Sequence, residues 1–268
     1  RVLADRLRLA NGIGYALESR LALSRGTGSL LSGIHVRRLA GFFAGLREGI
    51  ARGSERASPR IALLTPGRFN QSYPEQAHLA RYLGIPLVEG RDLTVMDSRL
   101  YVRTIAGPKR IDAIWRWIDT NALDPLRFDS RSRLGVPDLF DAWAHGRLAM
   151  ANWPGVELLE SPAFAAFLPA LCRRLTGEAP ILPNVATWWC GQPQEAALVR
   201  DRLDDLLISP AFSDEVEGLE GAHAVAGADL SGAARAGLLD AMARRPMDFC
   251  GQEIVNLSTT PVLSGDGF

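Results

Sequence analysis

Short apolar runs alternate with amphipathic helical segments between residues 58 and 152, and this alternation constrains the fold more than any other feature of the sequence. Four of the runs have the length and apolar continuity of strands that are buried on both faces. Pro74 in the first turn and Gly84 at the end mark the bounds of one intervening helix. The segments are, in order, RIALLT, PEQAHLARYLG, IPLVEG, the hairpin DLTVMDSRLYVRTIAG, IDAIWRWID, VPDLFDAWAHG and RLAMAN. The alternation predicts an α/β fold with a parallel sheet that is covered by helices.

The segments on either side of this region differ in organisation. Residues 1–57 begin with RVLADR, which has the pattern of a strand, and continue with two helical patterns, GYALESRLALSR and HVRRLAGFFAGLREGIAR. A linker rich in Gly, Ser and Pro follows at 53–59. Residues 153–268 alternate helices and strands again and contain the long strand pattern DFCGQEIVNLS. The sequence therefore predicts three parts, 1–57, 58–152 and 153–268.

Both ends of the sequence have the character of internal chain. RVLADR has a strand pattern from its first residue and lacks an initiator Met and a signal-peptide pattern. The last ten residues, TTPVLSGDGF, form an outgoing strand pattern and a turn at 265–267 whose return strand would lie further on. We expect the sequence to be a segment of a longer protein.

The composition excludes several classes of protein. Among the 268 residues, 47% are hydrophobic and 22% charged, as in an ordinary globular protein, and the longest apolar run, AFAAFLPALC, is too short to span a bilayer. The formal net charge is zero, which disfavours nucleic acids and anionic membranes as partners. Cys172, Cys190 and Cys250 lie far apart, without the spacing of a disulfide scaffold or a zinc motif. This cysteine usage indicates a reducing, cytoplasmic location.

Four long stretches carry a resemblance to a known family. They are LLTPGRFNQSYPEQAHLARYLGIPLVEGRDLTV, DAIWRWIDTNALDPLRFDSRSRLGVPDL, ATWWCG and GQEIVNLSTTPV. In sequence and order they resemble the circularly permuted ATP-grasp proteins related to glutathionylspermidine synthase. The resemblance implies a pre-ATP-grasp-like α/β domain at 58–152, an N-terminal ATP-grasp segment at 1–57 and a truncated nucleotide-subdomain segment at 153–268. It also implies an ATP-dependent carboxylate–amine ligase fold, whose members activate a carboxylate as an acyl phosphate.

The first motif of that family carries metal ligands at the end of an early strand, in a sequence close to Glu-Asp-Asn. This chain has Ala4-Asp5-Arg6 at the matching positions. A methyl group and a guanidinium cannot ligate Mg²⁺, so Asp5 is the one metal ligand that the resemblance leaves.

The family also places two lysines on the phosphates of ATP. The matching positions here are Pro162, within Glu160-Ser161-Pro162, and Ser209, whereas the sole lysine of the chain is Lys109. The loop that follows Ser209 would repel a triphosphate, because it contains the acidic residues Asp214, Glu215, Glu217 and Glu220. The sequence therefore predicts a degenerate nucleotide site around Ser209, with ATP and Mg²⁺ implied by the resemblance alone.

Two pairs of residues keep the family pattern. Arg116 and Asp119 match an Arg-x-x-Asp feature, which implies a catalytic pair that orients a carboxylate or phosphate. A structural ion pair at the sheet edge explains them equally well. Gln252 and Glu253 match the positions that face adenine between the two ATP-grasp subdomains, although strand alternation alone would put one of them in solvent.

Three further polar residues follow a predicted strand end. Asn70, Tyr73 and Glu75 come after the turn Thr65-Pro66-Gly67. Ligands bind α/β sheets at the carboxyl ends of their strands, so these residues are candidates for substrate binding near Arg116 and Asp119. Turn formation and helix capping explain them nearly as well.

Two functions remain open from the sequence. One is an ATP-dependent ligase that joins a small carboxylate to an amine and draws its missing groups from arginines or from chain beyond residue 268. The other is a non-catalytic binding or scaffold module, whose partner would be a protein such as an associated helical domain. Neither involves a nucleic acid or a membrane.

Overall fold

The computed structural model describes residues 1–33, 35–212, 216–219, 221 and 224–259. Contacts divide the chain into two compact units, Arg6–Val156 and Arg1–Asp5 together with the described residues of Glu157–Phe268. The three-part division at 57 and 152 stays a prediction.

The unit Arg6–Val156 contains a parallel sheet, as the alternating pattern predicts. Its elements are α1 (Ile13–Gly33), α2 (Ala40–Ala51), β1 (Ile61–Leu64), α3 (Tyr73–Leu83), β2 (Leu87–Val88), β3 (Leu93–Met96), β4 (Arg99–Val102), β5 (Lys109–Ile111), β6 (Ala113–Arg116), α4 (Thr120–Leu123), α5 (Leu139–Ala144) and β7 (Ala149–Ala151). The strand order is β2-β1-β6-β7, and all neighbours are parallel. The predicted α/β class and parallel sheet are confirmed.

The two central strands are buried on both faces, which explains their continuous apolar sequences. Leu63 and Trp115 are register partners and pack in one core cluster with side chains of α1, α2 and α3. Leu64 and Ile114 belong to the opposite cluster, which includes side chains of α5 and of the strands β3 and β4. Helix α3 ends at Gly84, whose φ of +65° is a left-handed conformation that glycine adopts without strain.

The predicted hairpin is part of a second sheet of three antiparallel strands in the order β3-β4-β5. Asp97 and Ser98 form its turn with φ of +50° and +57°. Strand β5 adds Lys109 opposite Val102 and Ile111 opposite Leu100. The sequence pattern does not predict this third strand.

The second unit contains an antiparallel sheet. Its elements are α6 (Pro162–Thr176), β8 (Thr187–Trp189), α7 (Pro193–Asp201), β9 (Leu206–Pro210), β10 (Val225–Ala226), α8 (Gly232–Arg244) and β11 (Phe249–Glu253), and the strand order is β10-β9-β11-β8. The expected N-terminal strand is present as a single parallel bridge between Val2 and Asn184.

This antiparallel sheet has helices on both faces. Leu206 and Ile208 pack against side chains of α7 and α8. On the opposite face, Ala163 of α6 lies in a cluster with Cys250 and the partly buried Trp189. Within the part of the chain that the structure describes, no helix has the length and hydropathy needed to cross a membrane.

The close approach of α4 to the loop before α5 yields a stability prediction. A Cβ at Gly135 would overlap the carbonyl oxygens of Ala122 and Leu123, which belong to main chain and cannot move aside. We expect Gly135→Ala to lower the free energy of unfolding by about 1–3 kcal/mol, measured by urea denaturation.

The control is Gly45→Ala in the interior of α2. A Cβ there meets no atom within 4 Å, and alanine is the better helix former, so the free energy of unfolding should rise by about 0.5–1 kcal/mol. A Gly135→Ala variant as stable as the original chain would contradict the predicted overlap.

Candidate functional site

A cavity of about 130 Å³ in the antiparallel-sheet unit brings the matched motif positions together. It lies among the N-terminal segment, the start of α6 and the strands β9 and β11. Its lining includes Ala4, Asp5, Glu160, Pro162, Ser209 and Gln252. Residues that are up to 249 positions apart in sequence, from Leu3 to Gln252, therefore share one cavity.

The strand register explains why these side chains meet. Leu207 lies opposite Gln252 and Ser209 opposite Cys250, and residues that are directly opposed in an antiparallel pair share a face. Leu206 and Ile208 turn to the other face, where they are buried. Leu207 and Ser209 therefore face the side of the sheet on which the cavity lies.

The start of α6 forms another wall of the cavity. Pro162 occupies the first helical position and has no N–H to offer to a bound anion. The Ser161 hydroxyl does not cap the helix and donates instead to the carbonyl oxygen of Leu158, at 2.7 Å. At this helix end, the position that the resemblance assigns to a lysine offers neither a charge nor a hydrogen-bond donor.

A second cavity of about 390 Å³ shares four lining residues with the first: Leu3, Ala4, Leu207 and Gln252. The Gln252 amide donates to the Thr187 hydroxyl at 3.1 Å and to the Leu3 carbonyl at 3.3 Å. The carboxylate of Glu253 pairs with Arg1 at 2.6 Å. Both predicted adenine-facing residues thus line this largely apolar cavity.

The charged side chains that line the two cavities are carboxylates, and one of them, Glu253, is balanced by its ion pair with Arg1. Among the described residues that line them, no side chain is an arginine or lysine, whereas Asp5, Glu160 and Glu253 are carboxylates. No group of three or more His, Cys, Asp or Glu suited to a metal ion occurs in the described ranges. Asp5 therefore has no partner cluster of that kind there, and its role as a metal ligand stays a prediction.

The acidic loop after Ser209 is described in part. Asp214, Glu215 and Glu220 lie outside the described residues. Glu217 pairs with Arg244 of α8 at 2.6 Å. This ion pair balances the charge of Glu217, and the repulsion of a triphosphate by the loop stays a prediction.

Arg116 and Asp119 have local structural partners in the parallel-sheet unit. The Arg116 side chain is buried, and its guanidinium donates to the carbonyl oxygens of Asn152, of Ile118 at 2.8 Å and of Trp153 at 3.2 Å. Asp119 accepts from the Asn121 main-chain N–H at 3.0 Å, which caps α4, and pairs with Arg8 at 3.4 Å. These contacts favour structural roles, and the catalytic roles stay predictions.

The three candidate substrate residues make hydrogen bonds that involve main-chain groups. Asn70 Oδ1 accepts from the Ser72 N–H at 2.9 Å, and the Asn70 carbonyl accepts from the Tyr73 N–H at 3.0 Å. Glu75 is 4% exposed. Its Oε1 accepts from the N–H groups of Gly12 at 2.7 Å and Gly14 at 2.8 Å, where α1 begins. Turn and capping roles account for these residues, and substrate binding stays a prediction.

Sequence reasoning missed the link between Glu75 and the start of α1. A Cβ at Gly14 would lie 2.5 Å from the Glu75 Cγ, so this close approach requires glycine. The NGIGYA stretch is the sequence signal for it, since its glycines allow a carboxylate to approach the main chain. Its partner Glu75 lies more than 60 residues away, and the sequence around Glu75 does not indicate this contact.

Two of the three cysteines are buried beside the candidate site. Burial raises the pKa of the Cys190 thiol to about 11 and raises that of Cys250 as well. Both thiols are therefore protonated at neutral pH, which disfavours a nucleophilic role for either.

Comparisons with known proteins cover nearly the whole chain. A family model described as circularly permuted ATP-grasp type 2 matches residues 1–267. The uncharacterized protein sll0335 of Synechocystis sp. is 33% identical over 267 residues, which are 99% of this chain and 54% of that protein. The uncharacterized protein Rv2411c of Mycobacterium tuberculosis is 33% identical over 97% of this chain and 47% of its own length. The chain spans about half the length of these curated relatives.

The carbonyl contacts of Arg116 predict a stability effect. Arg116→Lys keeps the charge but loses the planar fork, so buried carbonyl oxygens lose donors. We expect the free energy of unfolding to fall by about 2–3 kcal/mol in urea denaturation. Arg131→Lys is the control, because the Arg131 side chain is 88% exposed, and its effect should stay within about 0.5 kcal/mol. An unchanged stability of Arg116→Lys would contradict the structural role.

The raised thiol pKa values predict slow labelling. With a thiol pKa of about 11, Cys190 is about one part in a thousand thiolate at pH 8. Ellman's reagent at pH 8 should therefore react quickly with Cys172 alone and with all three thiols only after denaturation. Cys172→Ser should remove the fast phase. Fast reaction of two or more thiols in the native chain would show that burial does not protect them.

Proposed function

The chain belongs to the circularly permuted ATP-grasp type 2 family, and from this premise we propose that it is the ligase-like part of a longer protein with a degenerate nucleotide site. We further propose a relation to glutathionylspermidine synthase, which rests on the four quoted stretches. In that relation, the 130 Å³ cavity corresponds to the phosphate end of the nucleotide site.

One observation carries the proposal: the matched phosphate and metal positions line a single cavity, and that cavity is acidic. Proteins of the ATP-grasp family generally use ATP and Mg²⁺. A triphosphate is held by cationic side chains or by several free N–H groups that point at it. The described lining has neither an arginine nor a lysine, and its helix begins with Pro162. These residues do not fit the phosphate end of Mg-ATP.

The size of the loss follows from the two missing cations. A hydrogen bond to a charged group is worth about 1.5–3 kcal/mol, so two lost contacts weaken binding by about two to four orders of magnitude. The carboxylate of Asp5 adds repulsion of a polyanion.

The proposal for the whole protein is broader than the described cavity. The chain covers about half the length of its curated relatives. A ligase activity that joins a small carboxylate to an amine would need cations that the cavity lining lacks, and the rest of a longer protein could supply them. The second candidate function is a non-catalytic binding or scaffold module with a protein partner such as an associated helical domain. The hydrogen bonds of the Arg116 guanidinium and of the Glu75 carboxylate to main-chain groups favour this candidate. The three free cysteines support a reducing, cytoplasmic location.

Calorimetry with Mg-ATP tests the proposal. The chain should bind Mg-ATP with a dissociation constant in the millimolar range or weaker. The double variant Ser209→Lys/Pro162→Lys restores a cation at each matched position and should bind at least about tenfold more tightly, since one partial contact of about 1.4 kcal/mol suffices for that factor.

The control variant adds the same charge elsewhere. Ser19→Lys/Ser130→Lys places two lysines at exposed positions of the other unit and should leave binding unchanged. Micromolar affinity of the unaltered chain would refute the degenerate site. If the double variant folds and binds no better than this control, the absence of the two lysines is not the cause of weak binding.

A further inference from the structure

A cavity of about 540 Å³ in the parallel-sheet unit has the charge that the candidate nucleotide site lacks. Three cationic side chains line it, Arg47, Arg60 and Lys109, and all three are exposed. No acidic residue is present among the described residues of the lining. The chain as a whole has no net charge, so this local excess of three positive charges is not a consequence of a basic composition.

The cavity lies at the amino ends of the parallel strands. Ile61 begins β1, Ile85 precedes β2 and Ile111 precedes β6, and all three are buried residues of its lining. This is the sheet edge opposite to the carboxyl ends, where Arg116 and Asp119 lie. The cavity is therefore distinct from the ligand crevice that the sequence predicts.

The main chain around each cation is fixed. The Arg60 N–H donates to the Asp112 carboxylate at 2.9 Å, and the Arg60 carbonyl accepts from the N–H groups of Asp112 and Ala113. Lys109 is held opposite Val102 in the β4–β5 pair, and Arg47 lies in α2. The main chain that carries the three cations is therefore ordered before a ligand binds. Binding would reduce the conformational entropy of their side chains only.

The cations have no neutralising partner in the described part of the chain. No ion pair links Arg47, Arg60 or Lys109 to a described carboxylate. The adjacent Asp112 is 1% exposed, and its ion pairs are with Arg56 at 3.3 Å and Arg110 at 2.8 Å. Like charges around one cavity repel each other, and a bound anion would relieve that repulsion.

We propose that this cavity binds a small molecule that carries two or more phosphate or carboxylate groups. Its volume of about 540 Å³ suits a small-molecule site, and the buried isoleucines provide an apolar base. A nucleic acid would need an extended basic surface, which the neutral composition disfavours. The proposal goes beyond the proposed function and does not depend on the nucleotide site.

The sole lysine of the chain allows a selective test. Reductive methylation with ¹³C-formaldehyde keeps the charge of Lys109 and labels only that side chain and the N-terminal amine. Titration with inorganic pyrophosphate and with citrate, at constant ionic strength, should give a saturable shift of the Lys109 NMR signal for at least one of them. Acetate should give none. Comparison of pyrophosphate with citrate decides between phosphate and carboxylate ligands.

Variants connect the shift to the cavity. Arg47→Gln and Arg60→Gln should each weaken binding about three- to tenfold, and less at high salt. Arg174→Gln, which removes an exposed arginine of the other unit, should have no effect. Absence of a saturable shift, unaltered affinity in Arg47→Gln/Arg60→Gln, or tighter binding of a single-stranded oligonucleotide at Lys109 would overturn the proposal.

Discussion

The pairing of the central strand β11 with β9 on one side and β8 on the other is the constraint on which the candidate nucleotide site depends. Side chains alternate between faces with a period of two, so a slip of one residue would turn Leu207 and Ser209 into the core and expose Ile208. Helix α7 packs closely on the sheet at Gly251, because a Cβ there would lie 2.7 Å from a methyl group of Val199. The tight packing of one face leaves the other face for the cavity.

Charge is distributed unevenly over a chain whose formal net charge is zero. Carboxylates line the cavities at the matched nucleotide positions, and cations line the cavity at the amino ends of the parallel strands. The electrostatic potential in each cavity depends on where the charged side chains lie, and the composition of the chain does not predict it. The two kinds of cavity therefore differ in the sign of the charged side chains that line them.

Local patterns were sufficient to predict most of the parallel-sheet unit. β1 and β6 are short continuous apolar runs, and α3 carries its own end signal at Gly84. The strand β5 was missed because its sequence at 109–111, Lys-Arg-Ile, has one apolar residue and pairs through its main chain. RVLADR was expected to be a strand, but strand formation needs a partner, and only Val2 makes a bridge among the described residues of that stretch.

The site was predictable to a smaller extent. The family resemblance places Ala4, Pro162 and Ser209 at one nucleotide site, whereas sequence periodicity does not relate them. In the structure the three residues line one cavity. The contacts of Arg116 and Glu75 are made with main-chain carbonyl and N–H groups, which nearly every residue carries, so side-chain patterns do not identify the partners. The cationic cavity was missed for a related reason: Arg47, Arg60 and Lys109 lie on three elements that the sequence does not place side by side.

The outer strands of the two larger sheets are very short. β2 and β10 have two residues each, and β7 and β8 have three. A peptide that joins a sheet as an extra strand is held by repeated main-chain hydrogen bonds along an exposed edge, and these edges offer too few of them for stable addition. Within the described residues, the outer strands of these two sheets are therefore poor templates for an added strand, whether it comes from a partner or from another copy of the chain.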